Sequence, residues 1–182
     1  TIINNTTNNN TTNNNTNNNN TINITYNYPV VFNTDEDTYV KTEKIHKKIL
    51  KNLYKNNNQE LIKMYIREIF AVKENQNILK TNLTHPHSKV HVGEGTWINK
   101  LDNEIYPKLT NLFADSLFSF LHSKGIKNNM VLDYLQYMSS DGYINAEEDI
   151  QRRYKNMHKD ISTDMKLHMK NIALDVKDNL LN

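Results

Sequence analysis

Three histidines, His85, His87 and His91, are the first residues whose type and spacing suggest chemistry. On an extended strand all three imidazoles would project from one face and could meet a single metal ion. Pro86 interrupts such a strand, and no Asp or Glu beside them offers the carboxylate that usually orients a ligating imidazole. They are therefore expected to be solvated loop histidines.

A second candidate is Ser139 to Glu148, SSDGYINAEE. It matches the later part of an EF-hand calcium loop, with Gly142 as the turn glycine and Glu148 as the closing bidentate carboxylate. Asp141 and Asn145 would add ligands. The first loop position falls on Tyr137, which offers no carboxylate, so a Ser-Asp-Gly turn followed by a helix start at Asn145 is the expectation. The calcium loop is the alternative.

The third is a basic run. Residues 41 to 55 hold six Lys against Glu43 alone. Lys44, Lys47, Lys48, Lys51 and Lys55 form a candidate interaction face for phosphate or acidic partners, whose affinity would fall with salt. A solvated helix face is the plainer reading. Net charge is only +2, so charge argues for nucleic acid at this stretch and not for the chain as a whole.

Other chemistry is excluded or unmarked. Without cysteine there is no disulfide framework, thiol catalysis or Cys-ligated zinc. Gly93-Glu94-Gly95 lacks the third glycine of a dinucleotide fingerprint, and four glycines in all are too few for a phosphate cradle. No nucleophile motif or carboxylate pair stands out. The chain is expected to be a non-enzyme with no catalytic residue, no cofactor and no metal.

Residues 1–21 are Asn and Thr apart from Ile2 and Ile3. Such a tract has too little apolar surface to offset its ordering entropy and is expected to be disordered. The rest, 22–182, is expected to form one α+β domain. No run of eighteen apolar residues suggests a membrane span. The chain opens on Thr1, so it is read as a processed or excerpted piece.

Several elements follow from periodicity. Ile22 to Phe32 alternates with period two and predicts a strand as far as Pro29. Lys44 to Tyr54 predicts an amphipathic helix ended by Asn56-Asn57-Asn58. Leu61 to Val72 fits either period, and its β-branched and aromatic content favours a strand at 64–72. Lys89–Val92 and Thr96–Ile98 predict a hairpin around Gly93-Glu94-Gly95. Asp102 is the expected N-cap of a helix with Pro107 early in it. Leu109, Leu112, Phe113, Leu117, Phe120 and Leu121 recur at three and four residues and should bury that helix on the sheet. Lys124-Gly125 stops it, and Met130, Leu132, Tyr134, Leu135 and Met138 resume the pattern. Residues 146–157 and 164–181 read as two further helical pieces, a C-terminal helical extension.

The stretch from Leu109 to Met138 resembles the C-terminal region of the mitochondrial glycoprotein family, which includes the mitochondrial acidic matrix proteins and the complement Q-subcomponent-binding protein. The matching residues are Leu109, Asp115, Leu117, Phe120-Leu121, Lys124-Gly125-Ile126, Asn128 and Met130. Ile22 to Tyr28 and Ile66-Arg67-Glu68-Ile69 are similar to family strands, in the family's order. The resemblance implies an antiparallel sheet flanked by terminal helices and assembled as a homotrimer. It implies a mitochondrial matrix protein without catalytic residues, acting as a binding or chaperone-like factor. Its implied partners belong to oxidative phosphorylation, mitochondrial translation and RNA-associated complexes. A mostly helical subunit with its basic face against RNA is a further alternative.

Overall fold

The computed structural model describes residues 29–33, 38–138 and 148–181. The architecture is α+β: a small antiparallel sheet beside a larger set of helices. The Asn/Thr tract, the expected strand from Ile22 to Tyr28 and residues 139–147 of the glycine turn lie outside the described residues. Residues 29–33 run extended beside the sheet, with the Val30 N–H donating to the Glu74 carbonyl at 2.7 Å and that of Phe32 to the His91 carbonyl at 2.8 Å.

Helix α1 spans Glu43–Asn52, as its period predicts. The Thr42 hydroxyl accepts from the Ile45 N–H at its start, and Glu43 and Lys51 sit at the ends their charges favour. Helix α2 spans Asn58–Ala71, which corrects the strand expected at 64–72. Asn57, expected to stop α1, instead caps α2 by accepting from the Glu60 N–H at 2.8 Å. Leu61-Ile62, Tyr65-Ile66 and Ile69-Phe70 are all buried. That adjacent pairing every four residues is a wide helical stripe, and in a strand it would put half of these side chains into water. A 3₁₀ turn at Lys73–Asn75 follows.

The sheet has order β1-β2-β3, with β1 at Ile78–Leu79, β2 at His87–Gly93 and β3 at Thr96–Leu101. The predicted hairpin is present and longer than expected, pairing His87 with Leu101 and His91 with Trp97. Gly93, Glu94 and Gly95 all have positive φ, so the turn needs its two glycines.

Helix α3, Asp102–Ser123, runs for 22 residues through the centre of the core. Its N-cap is Leu101 and Asp102 is its first helical residue, a correction to the expected cap. Pro107 lies inside the helix, where its missing N–H leaves the Asn103 carbonyl without that donor. Leu109, Phe113, Leu117 and Leu121 are fully buried, Phe120 nearly so, and Leu112 half-buried. They pack chiefly against helices; α3 meets the sheet at β3, so burial of this face on the sheet is corrected. Gly125, at φ 68°, ends α3. The Gly125 N–H reaches the His122 carbonyl at 3.0 Å and that of Ile126 the Leu121 carbonyl at 3.1 Å, the paired bonds of a Schellman stop. Helix α4 is Asn129–Met138.

Helix α5, Glu148–Leu181, is one element of 34 residues, where periodicity predicts two pieces. The sequence offers no Gly or Pro anywhere along it. Its buried stripe is Ile161, Met165, Met169 and Ile172. Alongside, Arg67 of α2 forks onto Asp164, with Nε 3.0 Å from Oδ2, and Lys63 meets Asp160 at 2.5 Å. No helix among the described residues is long and apolar enough to cross a membrane.

Candidate functional site

The histidines do not form a site. His85 is exposed in the turn before β2, and its ring lies 5.1 Å from that of His87. His91 is 1% exposed in β2, with Nδ1 3.3 Å from the Val30 carbonyl and its ring beside Trp97. A buried strand position for His91 corrects the expected solvated loop. Among the described residues no group of three His, Cys, Asp or Glu is placed to hold a metal. Of the calcium alternative, Glu148 is exposed at the start of α5, while Asp141 and Asn145 lie outside the described residues.

The basic face is an exposed stripe on α1. At about 100° per residue, Lys44, Lys47, Lys48 and Lys51 fall within about 100° of arc, opposite the buried Ile45, Ile49 and Leu53. All four are exposed, as is Lys55 just beyond the helix. Two have acidic neighbours: Lys47 with Glu43 at 2.9 Å, both largely exposed, and Lys48 with Glu68 of α2. Such surface pairs contribute little and exchange readily with another anion.

On the other side of α1 from this stripe, α1, α2 and α3 line an open cleft of about 270 Å³. It is lined by Lys41, His46, Tyr65, Ser116, Ser119, Phe120 and Ser123. His46 projects from α1 and stacks on Phe120 of α3, with centroids 4.0 Å apart and rings 12° from parallel. Burial first, then the positive charges of Lys41 and Lys124, hold the His46 pKa below its ordinary 6.5, so the imidazole is neutral near pH 7. The Tyr65 hydroxyl and Ser116 Oγ meet at 3.0 Å in the floor. Ser123 Oγ donates to the Phe120 carbonyl at 2.7 Å. Lys124 lies 6.0 Å from the centre of the Phe120 ring.

A buried polar cluster lies across the molecule at the start of α3. The Lys80 ammonium is fully enclosed and donates to the carbonyls of His85 and His87, at 2.5 and 2.9 Å, and to Asp102 Oδ2 at 2.6 Å. Ser88 Oγ donates to Asp102 Oδ1 at 2.8 Å and lies 2.8 Å from the Tyr106 hydroxyl. Lys166 of α5 reaches Asp102 Oδ2 at 3.2 Å. All three donors of Lys80 are used, and Lys80, Ser88, Asp102 and Tyr106 are buried, which makes this an internal clamp joining the end of β1 to β2 and α3, with the partly exposed Lys166 tying in α5.

The lysine stripe is legible in the sequence; the cleft and the clamp are not. The serines at 116, 119 and 123 carry a readable signal, since that spacing lines one side of a helix. Nothing local marks Lys80 as buried. No protein-family model, curated protein or solved structure matches the chain.

Proposed function

We propose that this chain is a non-enzymatic binding protein whose α1 lysine stripe is its contact with an anionic partner. The observation that carries this is the stripe itself. Four lysines occupy the solvent side of one ten-residue helix, in which Glu43 is the sole acid. Single-stranded RNA in a larger complex is the partner class that suits such a face, because neutralising phosphates releases counterions. The resemblance carried by α3, Gly125 and α4 extends the proposal to an oligomeric, chaperone-like role in the mitochondrial matrix. That extension rests on this segment, since Ile66-Arg67-Glu68-Ile69 is helical.

Two measurements test the reading. A Lys44→Gln, Lys47→Gln, Lys51→Gln variant should bind a single-stranded RNA probe more weakly. Its log-affinity against log-salt slope should be shallower by about 2, at roughly 0.7 for each phosphate no longer neutralised. Equal slopes for variant and parent would remove the stripe as the RNA-binding face. Light scattering should give three times the 21.4 kDa chain mass; a monomer would remove the trimer.

A further inference from the structure

Among the described residues Tyr54 is the most exposed Phe, Tyr or Trp side chain, at 76%, and Tyr137 follows at 37%. It stands two residues beyond α1, where the backbone is still turning. Leu53 keeps right-handed helical angles, and the Lys55 N–H donates to the Asn52 carbonyl at 3.0 Å. The helical phase therefore carries through position 54. Lys47, Lys51 and Tyr54 are spaced by four and then three residues, which sets them in one row on the solvent side of α1. At 1.5 Å of rise per residue, that row is about 10 Å long. Among the described residues neither Lys51 nor Lys55, on either side of the ring in sequence, has an acidic partner.

The fold makes no use of this ring. Tyr54 has no hydrogen bond, ring contact or cation contact among the described residues, and it is the neighbouring Leu53 that enters the core. A flat apolar face at the end of a row of ammonium groups matches the two surfaces of an unpaired strand, its phosphates and its base faces. A duplex stacks its bases on one another and leaves the tyrosine nothing but backbone to meet.

We propose that Tyr54 is a base-stacking residue that makes the α1 face select unpaired RNA over duplex. The inference rests on the stripe being the RNA contact. It adds what lysines alone lack, since ammonium groups meet the phosphates of either form and carry no base information. A strand whose phosphates follow Lys47 and Lys51 lays one base on the Tyr54 ring. Every base has a π face, so the selection is for strand state and not for sequence.

The test is a binding titration of the full chain with three probes: a single-stranded RNA, its duplex, and an abasic strand of the same length. The parent should bind the single strand more tightly than either of the others. Tyr54→Leu should weaken single-strand binding about tenfold, the scale of one lost base stack. It should leave binding of the duplex and the abasic strand unchanged. Its log-affinity against log-salt slope should equal the parent's, because no phosphate contact is removed. Its unfolding midpoint should hold, since the ring stands in water. Tyr54→Trp should keep the tight binding. The triple lysine variant should show the opposite pattern, a shallower slope with the preference for the single strand over the abasic strand retained. Undiminished single-strand binding by Tyr54→Leu, with the slope still dependent on the lysines, would overturn the stacking role and leave the stripe standing. Equal parent affinity for the single strand and the abasic strand would overturn it in the same way. A parent that binds no RNA, or a triple variant with the parent's slope, would remove the stripe and the stacking role together.

Discussion

Asp102→Ala should lower the unfolding free energy by about 3–5 kcal/mol, the usual result of stranding one partner of a buried ion pair. The side chain of Lys80 is 0% exposed, and Asp102 is the sole carboxylate among its three acceptors. Without it, the ammonium faces two carbonyl dipoles and no countercharge. Chemical denaturation measures the loss. Adding Lys80→Met to the alanine variant should restore part of it, because the stranded charge goes with the lysine. A change under about 1 kcal/mol in Asp102→Ala, or no recovery in the double variant, would show that the clamp is not a linked unit. Lys166→Ala should cost less, since that side chain is 30% exposed and stays in contact with water.

The same clamp sets a pH dependence. Burial alone would raise the Asp102 pKa, but hydrogen bonds from Lys80, Ser88 and Lys166, with the Lys166 charge, leave it below the ordinary 3.8. A carboxyl depressed in the folded state binds its proton more readily once unfolded. Its stabilisation is therefore complete above about pH 4 and is lost as the pH falls through 3.8 toward the folded value. Asp102→Asn should remove this portion of the acid sensitivity while keeping the side chain's shape.

The second large effect belongs to Phe113. Its ring is fully buried and meets three others edge-on: Tyr39 at 5.2 Å, Phe70 at 5.7 Å and Tyr65 at 6.3 Å. Phe113→Ala should cost about 3–5 kcal/mol through reduced burial and the cavity left behind. Edge-to-face pairs add about 0.5–1.5 kcal/mol each beyond the area. A domain of this kind holds about 5–15 kcal/mol in total, so the variant should show a large fall in denaturation midpoint and a reduced near-ultraviolet aromatic signal. Phe113→Leu should fall between variant and parent. An alanine variant that unfolds at the parent's midpoint would mean that the four rings do not form a common core.

What can be read in the residues is mostly local. The α1 stripe, the Gly125 stop and the β2–β3 turn each depend on neighbours within a few positions, and each is where its pattern puts it. Helix α2 escapes such a reading because its composition favours strand. Its capping signal, Asn57 followed three residues later by Glu60, sits in an Asn run that equally well suggests the end of α1. The clamp and the cleft are hidden for another reason. Lys80 is 22 residues from Asp102, and Tyr65 is 51 from Ser116. Only tertiary packing makes such residues neighbours, and an isolated lysine or serine looks the same in sequence whether buried or wet.

The length and position of α5 have a consequence for the order of events at the ribosome. The helix follows everything it packs against, and its Asp164 meets Arg67 across 97 residues of chain. Translation at about 5–20 residues per second needs roughly 2–7 s to add the 34 residues of α5. Until Lys166 is added midway along α5, the nascent protein carries Lys80, Ser88 and Asp102 without it, and α2 lacks its long cover until the helix is complete. Ile161, Met165, Met169 and Ile172 arrive as a late latch. Until they do, the faces of α2 and α3 that α5 covers stay exposed.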